Sequence, residues 1–282
     1  MADLEIEVSS GLVVFRGSDA QHRKATEGRI RTGLNPKAWE KDRNMEPRMH
    51  NGNSRKTSIL FFGRKKCRGS REILDRLESL GFDVTCILSG HRFEKMDEDV
   101  TWWEGDYIIS FRSLFILPDS LLKRARIAAI NFHPAPPEYP GSGCVNFALY
   151  DDVGEYGVTA HIMNRLVDNG TILEVRRFPV NRTDKLPSVL ERSHSELLGL
   201  CLDFVIGIKT KGEAFIKERQ QHASGERWSG KARRIRDLDA LQKIDTGMEK
   251  DELERIIRAT NIPGYPPYID LHGYRFVLDD EK

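Results

Sequence analysis

The sequence predicts an α/β protein built on a mostly parallel, doubly wound sheet with a small C-terminal annex. Two observations carry this. Short continuous apolar runs, of the kind a strand buried on both faces requires, begin at Thr57. They alternate with amphipathic stretches of helical period, and chains that alternate in this way wind a parallel sheet between helices.

The first run is Ser58-Ile59-Leu60-Phe61-Phe62-Gly63. Ser70 then precedes a predicted helix over 71–80, in which Ile73, Leu77 and Leu80 share one face and Gly81 is placed to end it. Residues 82–88 read as a second strand and Tyr107-Ile108-Ile109-Ser110 as a third. Pro118-Asp119 opens a helix before another buried strand over 127–131. Strands follow over 157–163 and 172–180, and residues 186–209 have helical spacing. Beyond Lys211 the chain is polar until a helix over 248–260. A hairpin then joins Tyr268-Ile269-Asp270 to residues 274–278 around His272-Gly273.

Composition bounds the function. The 282 residues suffice for one large domain or a domain with an annex. Lys plus Arg number 44 against 43 Asp plus Glu, so the chain as a whole lacks the basic excess expected of a nucleic-acid coat. Residues 1–56 differ in texture: from Arg16 to Lys56 there are eleven Lys or Arg against five Asp or Glu, with few apolar residues. They read as a flexible basic extension. Cys67, Cys86, Cys144 and Cys201 stand far apart without a CxxC pair, so no zinc site or disulfide framework is indicated. Reduced thiols and an acidic start without an apolar run point to a cytoplasmic protein, and no stretch approaches a membrane span.

Asn131-Phe132-His133 closes the strand at 127–131, at the carboxyl end where open α/β sheets bind ligands. Residues 131 and 133 point to one side if the extended backbone persists. The following segment, residues 134–143, holds four prolines and forms a rigid, shaped loop. Val167-Asp168-Asn169-Gly170 places a carboxylate in a tight turn between two strands. An amide, an imidazole and a carboxylate can thus meet at one edge. Taken singly, His133 in a proline-rich loop and Asp168 in a turn are ordinary structural residues. His161 reads as core or support, and Cys144 as a small hydrophobe rather than a nucleophile.

Asn131-Phe132-His133-Pro134, Glu138-Tyr139-Pro140-Gly141, Gly157-Val158-Thr159 with His161, and Val167-Asp168-Asn169-Gly170 closely resemble the signature of the folate-dependent formyltransferases. The stretch from Ser110 to Pro118, which ends in Ile-Leu-Pro, is similar to one that helps hold the folate in that family. The resemblance covers about 57–208. It implies a Rossmann-like formyltransferase core over 57–210, a C-terminal subdomain over 211–282, and 10-formyltetrahydrofolate as co-substrate. It also implies Asn131, His133 and Asp168 as catalytic residues, Phe111 and Arg112 at the folate pocket, and no metal. The tail is most similar to the enzymes that formylate nucleotide-linked amino sugars, a class tied to O-antigen biosynthesis and commonly dimeric. There, Lys231, Arg233, Arg234 and Arg236 are expected to face a diphosphate. Tyr265 and Tyr268 are expected either to stack on a base or to pack the hairpin. Residues 91–103 are shorter than the family's usual βα unit.

Overall fold

The computed structural model describes residues 55–229, 232–263 and 266–278. The basic extension over 1–54, Lys231 and Tyr265 therefore lie outside the described residues. The main sheet comprises β1 (Ser58–Arg64), β2 (Asp83–Ser89), β3 (Gly105–Phe111), β4 (Ala125–His133), β5 (Glu155–Ile162) and β6 (Ile172–Pro179), in the order β2-β1-β3-β4-β5-β6. The pairs β2-β1, β1-β3 and β3-β4 are parallel, while β4-β5 and β5-β6 are antiparallel. The mostly parallel sheet is the one expected from the sequence, with a hairpin on one edge.

One face of this sheet is thick. α1 (Arg68–Ser79), α4 (Leu186–Lys211) and α5 (Glu213–His222) pack on it through Ile73, Leu77, Leu197, Phe204, Phe215 and neighbouring residues. α5 was not expected, because its polar sequence hides two anchors, Phe215 and Ile216, which are buried in the same core cluster. The other face is thin. It carries a 3-10 turn at Glu98–Trp102 and α2 (Asp119–Leu122), a single turn that places Leu121 and Leu122 against Leu60, Phe62 and Ile108. The short passage over 91–103 thus holds one turn where a longer βα unit would hold a helix.

Ser70 does not cap α1 from outside. The helix begins at Arg68, and the buried Ser70 hydroxyl accepts the Arg64 N–H, tying the helix start to the end of β1. Gly81 ends the helix with φ 76°, as expected. α3 (Cys144–Tyr150) follows the proline-rich loop and was missed in the sequence, being only seven residues long. α7 (Lys250–Thr260) packs on α3, with the Asn146 amide donating to Ala259 O at 2.8 Å. α6 (Ile235–Gln242) and the hairpin of β7 (Tyr268–Leu271) and β8 (Tyr274–Val277) complete the annex.

Phe204 joins the layers. Its ring meets Phe132 of β4 edge-on at 5.4 Å and Phe215 of α5 at 5.1 Å, with no solvent exposure. Phe204→Ala should cost about 3–5 kcal/mol through lost burial and a cavity. Urea unfolding should show it; a loss below 1 kcal/mol would mean that the core collapses to fill the gap.

Candidate active site

β4 runs two residues further than the apolar pattern suggests, ending at His133. The extended backbone therefore persists, and Asn131 and His133 project to the same side. β5 brings His161 opposite Asn131 by antiparallel register. The turn after β5 then returns Asp168 to the same point, with φ 45° at the aspartate, a left-handed conformation that Asp adopts more readily than most residues. Gly170 is obligatory in this return: a Cβ there would stand 1.7 Å from Ile162 O.

The Asp168 carboxylate is the centre of the cluster and is only 7% exposed. Oδ2 lies 3.3 Å from His133 Nδ1 and accepts the Gly141 N–H at 2.9 Å, while Oδ1 lies 3.4 Å from His161 Nε2. Burial acts to raise its pKa. The two imidazoles and the Gly141 amide outweigh that and hold it down at about 2. The carboxylate is therefore ionised inside the protein.

His133 is buried, and both of its ring nitrogens face oxygens: Nδ1 faces Asp168 and Nε2 faces Tyr139 O at 3.1 Å. His161 Nδ1 lies 2.9 Å from Ile162 O, and its Nε2 lies 3.1 Å from Asn131 Nδ2. This contact orients the Asn131 amide and leaves its second N–H available. Asn131 is half-buried, so it is the member of the set that reaches the surface.

Three hydroxyls are bonded to carbonyls at the start of the proline-rich loop. Tyr156 and Ser193 hydroxyls both donate to Pro134 O at 3.0 Å, and Thr159 donates to Ala135 O at 2.7 Å. Gly141 has φ 90°, and a Cβ there would stand 2.2 Å from Arg233 O. Cys144 Sγ donates to Gly141 O, and burial pushes its thiol up to about 12, so it stays protonated. It is no nucleophile.

Sequence reasoning missed Trp228. Its indole packs edge-on over His161 at 5.0 Å and His133 at 5.8 Å, and Nε1–H donates to Gly170 O at 2.7 Å. It roofs both imidazoles. The only signal was a lone tryptophan in a polar stretch.

Phe111 is 1% exposed in the main core, and a Cβ on Gly69 would stand 3.1 Å from its ring. Arg112, the next residue, turns with φ 53° at the sheet edge, and Nη1 lies 3.6 Å from Cys67 Sγ. The guanidinium of the half-buried Arg233 stacks over Phe147 at 4.3 Å and Tyr139 at 5.4 Å. The Arg234 N–H donates to Asp237 at 2.7 Å, and Arg236 lies 3.8 Å from the same carboxylate. Tyr268 stacks with Arg275 at 3.7 Å within the hairpin.

The family model for formyl transferase matches residues 71–198. GDP-perosamine N-formyltransferase of Brucella melitensis biotype 1 is 28% identical over 171 residues, 59% of this chain and 61% of that protein. The chain thus spans about three fifths of the curated relatives it first matches. Among solved structures, a sugar N-formyltransferase from a Shewanella species superposes with TM-score 0.59 at 18% identity, covering 79% of this chain and 96% of that one. The formyltransferase PseJ from Anoxybacillus kamchatkensis, solved with UDP-4,6-dideoxy-4-formamido-L-AltNAc and tetrahydrofolate, superposes with TM-score 0.52 at 21% identity. It covers 72% of this chain and 99% of that one.

Because Asp168 has a lower pKa folded than its ordinary 3.8, its stabilising contribution is complete above about 4 and is lost as pH falls through about 2. The gap in unfolding free energy between the wild type and Asp168→Asn should therefore be level from pH 7 to 5 and close between about 4 and 2. Urea titrations at each pH measure it, and a gap that widens in acid would contradict the ionised carboxylate. Sequence signature, sheet topology and family match agree over residues 71–198, the part of the chain that is similar to the formyl transferase family.

Proposed function

We propose that the protein transfers a formyl group from 10-formyltetrahydrofolate to the amino group of a nucleotide-linked amino sugar. The observation that carries the reading is the buried, ionised Asp168 between two imidazoles, with the Asn131 amide oriented beside them. In this reaction the amine nitrogen attacks the formyl carbon, which becomes tetrahedral, and the carbonyl electrons move onto oxygen. Asn131 donates its free N–H to that oxyanion. The His133–Asp168 pair relays the proton that the attacking nitrogen loses, with the carboxylate holding the imidazole. Collapse breaks the bond from the formyl carbon to N10, and the proton passes to the departing nitrogen. Atoms and charges balance without a covalent enzyme intermediate.

Support for the folate side comes from the surface beside the cluster. Ile116, 80% exposed, and Leu166 and Val167, about half exposed, present apolar side chains on the two turns that flank the strand ends. A flat heterocycle covers such a surface favourably. The relatives' names support the sugar side. The same reading makes the product a formamido sugar nucleotide for polysaccharides such as O-antigen, made in the cytoplasm. It also makes the enzyme a homodimer, for which the outward apolar side chains of Tyr274, Phe276 and Val277 offer a surface. Among the described residues no helix is long and apolar enough to cross a membrane.

A panel of nucleotide-linked amino sugars with 10-formyltetrahydrofolate should give one product whose mass has gained a formyl group. Asn131→Ala should lower kcat about 10²–10³-fold with little change in KM, the cost of losing one oxyanion donor. Silence across the panel with competent folate, or near-normal turnover in the variant, would overturn the reading. Light scattering should give twice the chain mass; a monomer at working concentration would remove the dimer.

A further inference from the structure

The sheet edge that holds the catalytic set also holds two arginines that the chemistry above does not use. Phe62 of β1, Ser110 of β3 and Asn131 of β4 stand in register. Two residues on come Arg64 and His133, the last residues of β1 and β4, and Arg112, the first residue after the end of β3. Neighbouring strands are about 5 Å apart, so Arg112 emerges one strand spacing from His133 and Arg64 two.

Neither arginine has a carboxylate partner among the described residues. Arg112 meets only the Cys67 sulfur, and the Arg64 side chain meets no acceptor, whereas neighbouring Lys65 is paired with Glu94 at 2.7 Å. Burial, and after it the charge of Arg64, hold the Arg112 guanidinium below its usual range, while the Cys67 sulfur acts in the other direction. His194 of α4 faces both. Burial first, and then Arg112 and Arg64, push its pKa down to about 3, so it is a neutral imidazole beside two cations. The backbone is committed to this arrangement: Arg112 sits at φ 53°, which a non-glycine residue adopts at a cost, and Ser70 Oγ accepts the Arg64 N–H to fix the other arm. α1 starts beside them with no acidic side chain in its first turn, leaving its positive end uncompensated. Like charges gathered with no carboxylate partner, and with only the Cys67 sulfur set against Arg112, on a partly buried and strained frame, call for an anion from outside.

We propose that Arg64 and Arg112 grip a phosphate-class oxyanion, the diphosphate of the amine-bearing substrate, with His194 as a neutral donor beside them. The naming of the anion's bearer rests on the nucleotide-sugar reading; the anion site itself does not. It takes the place of the basic tail, whose Arg233 is stacked on aromatic rings.

The test is calorimetric titration of the full-length protein with inorganic pyrophosphate, with a series of nucleoside diphosphates, and with tetrahydrofolate. Pyrophosphate should bind, more weakly as salt rises. Arg64→Gln and Arg112→Gln should each weaken it about tenfold or more, while Lys65→Gln changes it less than twofold. Circular dichroism confirms that each variant is folded, and Arg112→Lys serves where Arg112→Gln is not. No pyrophosphate binding by the wild type, or equal binding by both arginine variants, overturns the proposal. So does a loss confined to tetrahydrofolate, which would assign the arginines to the folate carboxylates. Pyrophosphate binding that the variants lose, in a protein that formylates no sugar nucleotide, upholds the anion site and removes the substrate reading instead.

Discussion

A single buried negative charge organises this molecule. The Asp168 carboxylate has been taken out of water, and a charge so placed is tolerable only when other groups take over the work of solvent. Two imidazoles and one backbone N–H do so. Each of these comes from a different segment: β4, β5 and the proline-rich loop. Holding them within reach of one carboxylate fixes the relative positions of all three. The site and the junction between the parallel and antiparallel parts of the sheet are therefore one structural problem with one solution.

Local geometry around the carboxylate follows from this demand. Gly170 lets the returning turn press against the Ile162 carbonyl, and Gly141 lets the loop bend so that its N–H points inward. Hydroxyls of Tyr156, Thr159 and Ser193 take up loop carbonyls that would otherwise be buried without partners. Trp228 closes the top and keeps water from competing for the same groups. Exclusion of water strengthens every electrostatic contact beneath it. The reacting edge thus combines a dry charged interior with a single amide, Asn131, directed outward.

Much of this was legible in the sequence because strands buried on both faces must be continuously apolar. Their carboxyl ends then locate the site before any coordinate is known. Asn131, His133 and Asp168 were found from strand ends and turn chemistry together with the formyltransferase signature. What escaped notice had weak local signals. α3 is too short for a clear period, and α5 buries only Phe215 and Ile216 from a polar sequence. Ser70 was read as a cap because capping is its commonest use, yet a bond across the β1 turn gave its hydroxyl a better partner. Phe111, which the family resemblance assigns to the folate pocket, has its ring in the core, while Arg112 leaves the sheet. Trp228 belongs to the site only through a contact 58 residues away in the chain, which no local pattern encodes.

The passage from α5 into the annex is held to the proline-rich loop largely by main-chain atoms. Ser229 N donates to Pro137 O, Arg233 N donates to Pro140 O, and Ser142 N donates to Arg233 O. Such tethers are indifferent to side-chain identity. Side chains along this strip can therefore be exchanged, and the wall they form beside the loop refitted, without moving the strip itself.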